Sequence, residues 1–423
     1  MVKGHANVIR IRPLTASCLI LGCLLLLSGL PALAQTEGPL VVQEMRHQVR
    51  FAEAVRFFLT ASGPTDITSA VLTYRTSDNE GMTIKRLDFA PAPAIELAYE
   101  IDLARYPLKP FVQVTYWWTV SDADNHRLVT DPQRFSYNDP RFEGFPPLTD
   151  QYVVVHWYEG DAAFGNMALD VAERAVVRIG EMIDPALDLP EPFHLYLYAS
   201  EADLLPALPA TDREWVAGQA YPDLRIALVA IPPGVESAST MRWLIPHELT
   251  HLLLFEVMGS NYGRLPAWLN EGLAVFSEEI PDPDDALVLE RALRKDQLLS
   301  LEALCHSFPY GDDQARLAYA QSASVVRFIQ ENYGHSAIGK LVAVYSKGIP
   351  CQRGVNLALG ISLSSLESQW RKSLGAQSKN AVLLRRAMPW LLLLLVSLPF
   401  LVLVAQPLFA RRPARSQGQP REP

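Results

Sequence analysis

The sequence predicts a multidomain chain: an N-terminal all-β sandwich, then an α+β domain with a mostly helical C-terminal half, then one transmembrane helix. Three observations predict it. Short runs of alternating apolar and polar residues fill 40–140. Apolar repeats at three- and four-residue spacing dominate from about 240 to 375. A long apolar stretch runs from about Met388 to Ala410. The 423 residues have room for two or three domains, and 49% hydrophobic with 20% charged residues is ordinary globular composition. A net charge of −9 without a long basic run in the central region argues against a nucleic-acid partner.

The ends come first. Residues 1–34 carry Lys3, Arg10 and Arg12, an apolar stretch from Leu14 to about Leu30, and Ala32-Leu33-Ala34. That order is expected of a secretory signal peptide cut after Ala34. An uncleaved N-terminal anchor and, on Leu21-Gly22-Cys23, a lipoprotein signal ending at Cys23 are the other readings. The stretch 388–410 is long enough for a bilayer core of about 30 Å at 1.5 Å per residue. Residues 411–423 hold Arg411, Arg412, Arg415 and Arg421, which the positive-inside rule puts in the cytoplasm. Arg385 and Arg386 on the other flank run against that rule. The expectation is a single-pass protein of the cell membrane with its folded part outside the cytoplasm. Cys305 and Cys351 are the cysteines between the two ends. One disulfide or two unpaired buried thiols both fit export.

The β-rich domain spans 40–140. Its clearest strand is Phe111 to Val120, with Val112, Val114, Tyr116, Trp118 and Val120 on one face and Gln113, Thr115 and Thr119 on the other. Period two with aromatic and β-branched residues describes a half-buried strand. Similar runs lie near 49–59, 70–76, 82–90, 94–103 and 126–137, separated by turns such as Ser62-Gly63-Pro64. In size and pattern the segment resembles immunoglobulin and fibronectin type III modules, without their diagnostic disulfide.

Residues 140–150, with Pro140, Gly144, Pro146 and Pro147, read as a linker. The second domain covers 150–375. Tyr152–Tyr158, Phe193–Tyr198 and Arg225–Ile231 read as strands, and Phe164–Ile183 as an amphipathic helix. The most informative residues follow. His247-Glu248-Leu249-Thr250-His251 puts two imidazoles one helical turn apart, on one face, where both reach one ion. Zinc suits neutral imidazole nitrogen, and Glu248 projects beside it, positioned to take a proton from water. The flanking Leu244, Ile245, Leu252, Leu253 and Phe255 bury that helix, so its polar groups need partners. Pro246 either kinks the helix or marks a start later than Thr240. A catalytic zinc takes three protein ligands. Glu271, set among Trp268, Leu269, Leu273, Ala274 and Phe276, is the expected third. Glu278 and Glu279 fall near the end of its helix, where solvent is the expected partner. His47, His126, His156 and His194 have no second ligand at useful spacing.

His247-Glu248-Leu-Thr-His251 followed by Trp268-Leu-Asn-Glu271-Gly-Leu-Ala closely resembles the gluzincin metallopeptidases, best their aminopeptidase-N-like branch and the peptidase-MA-like proteins. The resemblance covers roughly 150–375. It implies a thermolysin-like zincin fold, one catalytic zinc ion on His247, His251 and Glu271, Glu248 as general base, and a peptide or protein substrate. It also implies a tyrosine on a later helix that faces the developing oxyanion; Tyr319 falls there, with His306 and His335 as other donors. The strand 225–231, preceded by Gly218-Gln219-Ala220, is similar to the edge strand lining the cleft of that fold, and an internal strand is the other reading. The aminopeptidase signature Gly-Ala-Met-Glu-Asn is absent, which leaves exopeptidase and endopeptidase activity open. The alternative to a membrane-anchored peptidase is a catalytically inactive zincin-fold scaffold of the cell surface.

Overall fold

The computed structural model describes residues 40–209, 217–309, 311–375 and Met388. The expected signal peptide, the rest of the expected transmembrane segment and the tail lie outside these residues.

The N-terminal region is β-rich. Its strands are β1 (Val41–Arg50), β2 (Ala54–Thr76), β3 (Thr83–Leu87), β4 (Ala92–Asp102), β5 (Gln113–Asp122), β6 (Arg127–Val129) and β7 (Gln133–Ser136). Strand β2 spans two expected strands and the turn between them. Its first part pairs with β1 and β4, and its second with β3 and β5. Ser62-Gly63-Pro64 does not end the strand. It marks a change of partner, and the register with β4 shifts between Ser62 and Ile67. Proline offers no N–H to a ladder, so pairing breaks there while the chain stays extended. Phe57, Leu59, Leu72, Tyr116 and Trp118 are almost fully buried and pack into one core from both parts of β2 and from β5.

The expected linker at 140–150 is a packed joint. Asp139 caps a short 3-10 turn at Pro140–Gly144, and Leu148–Thr149 forms β8. The buried Phe142 meets Tyr158, Tyr196 and Tyr198 edge-on, and Phe111 stacks on Tyr196 at 3.7 Å between ring centroids. Aromatic burial of this size holds the two regions together.

The second sheet adds β9 (Val153–Trp157), β10 (Phe193–Tyr198), β11 (Gly218–Tyr221) and β12 (Ile226–Ala230), in the order β11-β12-β10-β9-β8. Strands β9, β10 and β12 are parallel, with β11 and β8 antiparallel at the edges. The strand read at 225–231 is therefore internal, with Ile226–Ala230 wholly buried, and the edge is Gly218–Tyr221. Helix α1 (Ala162–Ile183), capped by Asp161, buries its Val171, Ala175 and Ile179 face on this sheet. The short α2 (Glu201–Leu204) follows β10. Then come α3 (Ser237–Met258), α4 (Ala267–Ser277), α5 (Asp285–Arg294), α6 (Asp312–Tyr333), α7 (Ser336–Tyr345) and α8 (Cys351–Leu359), and the chain is helical again over 363–375. A disulfide joins Cys305 to Cys351, with Cα atoms 6.0 Å apart, and ties the turn before α6 to the start of α8.

The fold class and localisation expected from the sequence need correction. No helix among the described residues is long and apolar enough to cross a membrane. The 22-residue helices α1, α3 and α6 have the length, but each carries several charged side chains. The expected C-terminal span and single-pass placement, with a cytoplasmic tail, are accordingly withdrawn.

Candidate metal centre

Helix α3 runs unbroken through Pro246, starting at Ser237. A proline here leaves the Arg242 carbonyl without its helical donor. The N–H of Glu279 donates to it at 2.9 Å. The chain leaving α4 is thus pinned to α3 one turn before the motif, and the Arg242 guanidinium also donates to Glu279 at 2.9 Å. This pin sets the neighbouring Glu278 against the first histidine: Glu278 Oε1 lies 3.0 Å from His247 Nδ1.

The ring of His251 is held in the same manner. Its Nδ1 lies 3.2 Å from Asn270 Oδ1, and Tyr262 donates its hydroxyl to that oxygen at 3.4 Å. With both Nδ1 atoms engaged, both Nε2 atoms turn toward Glu271. The Glu271 Oε2 is 3.9 Å from His247 Nε2 and 3.6 Å from His251 Nε2. Those separations are too long for hydrogen bonds. They are close to the about 3.3 Å between ligand atoms on a tetrahedral zinc. One donor atom from each residue lies within 4.8 Å of the others, so the set fits a metal ion.

Glu248 is not one of these three donors. It is buried against β11 and accepts a hydrogen bond from the Ala220 backbone. A Cβ on Gly218 would lie 2.5 Å from Glu248 Oε1, so only glycine leaves room for this carboxylate. Burial pushes the Glu248 pKa up, against the pull of His247 and His251. Burial pulls His247 down, but the Glu278 hydrogen bond and the charges of Glu248, Glu271 and Glu278 prevail and raise it to about 9 among protein groups alone. Four elements therefore converge: α3, α4, the segment after α4, and β11.

Tyr319 reaches the site from α6. Its ring centroid lies 6.5 Å from that of His247, and Phe308 packs against it edge-on at 4.9 Å. The approach depends on Gly272, where a Cβ would meet the Ser322 carbonyl oxygen at 2.7 Å, so α4 and α6 approach backbone to backbone. Burial, then the charges of Glu271 and Glu248, raise the phenol pKa, so it is a proton donor at neutral pH. Among the described residues the ring neighbours of His247 are His251 and Tyr319, and neither His306 nor His335 is one of them.

Two contributors escaped the sequence. Glu278, expected in solvent, is only 7% exposed and sits on His247. Gly218 carries no signal until its neighbour is known. A cavity of about 610 Å³ lies away from the site, lined by Met182, Val257, Gln330, His335 and Lys340, and none of the three candidate ligands lines it.

Removing Glu278 tests the support of His247. Glu278→Ala is expected to weaken zinc binding by about 10–100-fold, as loss of an outer partner of a ligating histidine does. Competitive titration against a chromophoric chelator measures it, and an unchanged affinity would show that the contact does not orient the ring.

Residues 171–376 match the family model described as Peptidase MA superfamily. The match supports a peptidase-like zincin fold for that part of the chain and does not reach the aminopeptidase-N-like branch. No curated protein matches the chain. Among solved structures, a family 56 carbohydrate-binding module that binds β-1,3-glucan aligns at 15% identity over 22% of this chain and 95% of its own, with a TM-score of 0.15. A polysaccharide deacetylase from Bacillus cereus aligns at 9% identity over 39% of this chain and 53% of its own, TM-score 0.19. A purple acid phosphatase from yellow lupin (Lupinus luteus) seeds aligns at 11% over 51% of this chain and 40% of its own, TM-score 0.17. At such scores none of the three bears on fold or function.

Proposed function

We propose that the chain is a zinc-dependent metallopeptidase of the gluzincin type, with His247, His251 and Glu271 as ligands and Glu248 as general base. The observation that carries this reading is the convergence of both Nε2 atoms and one Glu271 oxygen within 4.8 Å, with both Nδ1 atoms occupied by acceptors. The superfamily match over 171–376 supports it. When bound, zinc supplies Lewis acidity and lowers the pKa of water toward about 7.

The protein groups account for the rest. Glu248, fixed between β11 and the two imidazoles, accepts the proton of the attacking water and delivers it to the leaving amine nitrogen. Its raised pKa suits a group that must first accept and then release a proton. The Tyr319 hydroxyl donates to the carbonyl oxygen as negative charge builds on it. Strand β11 pairs with β12 alone among the described residues. Its other edge offers backbone groups to an extended peptide, next to Glu248. The substrate is accordingly a peptide or an extended segment of a protein.

Purified protein should carry about one zinc per chain by plasma emission analysis. It should also cleave members of a quenched-fluorescent peptide library, stop on chelation and recover on adding zinc. Bound zinc without cleavage of any library member would overturn the enzyme reading in favour of an inactive scaffold. Tyr319→Phe is expected to lower kcat by about 10²–10³-fold with little change in KM, the loss usual for one oxyanion donor. Equal kcat in the two proteins would remove Tyr319 from the reaction.

A further inference from the structure

The outward face of the sheet formed by β3, β2, β5, β6 and β7 has a composition unlike the rest of this acidic chain. Cross-strand partners share a face. Arg75, Thr115 and Arg134 stand in one register row across β2, β5 and β7. Thr73 and Trp117 form the next, and Val71, Thr119 and Val129 the one after. Arg86 and Arg127 continue the same face at β3 and β6. These register rows carry four arginines and no aspartate or glutamate, with Asp66 and Asp131 exposed just beyond them. The whole protein carries a net charge of −9.

The arrangement has a cleft at its centre. A cavity of about 310 Å³ is lined by Arg75, Thr115, Trp117, Thr130, Pro132 and Arg134, among others. Neither Arg75 nor Arg134 has an ion-pair or hydrogen-bond partner among the described residues. The two arginines flank Thr115 at two strand spacings, about 9.5 Å across. Cations held on one face without a counter-charge repel each other unless an anion joins them. The half-buried Trp117 presents a flat aromatic surface between them. Its neighbour Thr130 accepts a hydrogen bond from the Trp118 backbone at 2.9 Å, which fixes the cleft wall.

We infer that this cleft binds an acidic polysaccharide, with Trp117 stacking on a sugar ring and Arg75 and Arg134 pairing with carboxylates on either side. The chemistry favours a saccharide over an acidic peptide. Strand β5 is paired on both sides, so no backbone edge is open for peptide addition. Recognition rests on an aromatic plane and guanidinium forks, which match the C–H face of a sugar ring and a planar carboxylate. An anionic membrane fits less well, because Trp117 is half-buried and lines the cleft wall.

Calorimetry with the full-length protein tests this, using polygalacturonate, with dextran, polyglutamate and phosphatidylglycerol vesicles as comparisons. Polygalacturonate should bind, with affinity falling as salt rises. Trp117→Ala, Arg75→Gln and Arg134→Gln should each weaken it about 5- to 20-fold, as expected for one stacked ring or one charge-assisted fork. Both arginines are exposed, so their variants keep the fold, and peptide hydrolysis should be unchanged in them. No binding of polygalacturonate, or binding indifferent to the arginine changes, would overturn the proposal. So would equal affinity for polyglutamate or for the vesicles.

Discussion

Glu248→Gln should leave about one zinc per chain while cutting peptide hydrolysis by about 10²–10⁴-fold, the range for a positioned general base. The physical reason lies in where the side chain sits. Glu248 is held at the β11 edge by Ala220 and by the room that Gly218 leaves, apart from the three converging donor atoms. Glutamine has the same shape and still accepts the Ala220 hydrogen bond, so the fold and the metal should be undisturbed. It cannot take a proton from water. Metal analysis and single-turnover hydrolysis on the same sample separate the two functions. Retention of wild-type turnover would dismiss Glu248 as the base, and loss of the metal would mean the residue is a ligand.

Glu271→Ala is expected to abolish both properties, with zinc affinity falling by more than the about 100-fold given by an outer-partner loss. Two imidazoles on one helix turn define a line, and the third donor must come from another element to enclose an ion. Here α4 supplies it, with Glu271 Oε2 within 3.9 Å of both Nε2 atoms. Without that carboxylate, His247 and His251 remain anchored through Nδ1 by Glu278 and Asn270 but face an open side. Equilibrium dialysis against buffered zinc gives the affinity directly. Tight zinc binding in Glu271→Ala would refute the ligand assignment, and the peptidase proposal would lose its footing.

Much of the site is visible in the residues themselves. The His247–His251 spacing is a local property of any helix, and α3 realises it despite Pro246. Glu271 is conspicuous because a carboxylate among Trp268, Leu269 and Leu273 needs a cationic partner. The alternation along β5 correctly separates Val114, Tyr116, Trp118 and Val120 from Thr115 and Thr119. These features depend on neighbours within a turn or two, so composition and period encode them.

Other features do not exist until the chain has folded. Glu278 meets His247 across 31 residues because the carbonyl freed by Pro246 captures the Glu279 N–H. Gly218 matters because a carboxylate 30 positions later occupies the space of its missing Cβ. The edge of the second sheet is Gly218–Tyr221 and not 225–231, since strand order is chosen by packing across the whole sheet and not by any one strand's pattern. The continuity of β2 through Gly63 and Pro64 is likewise decided by two sets of partners. An apolar run records hydropathy, whereas a membrane span also requires a helix of matching length, and none is present among the described residues. Local spacing thus singled out the candidate donor groups of this protein, while long-range contacts decided which groups surround them, because a side chain's partners are fixed only when distant segments meet.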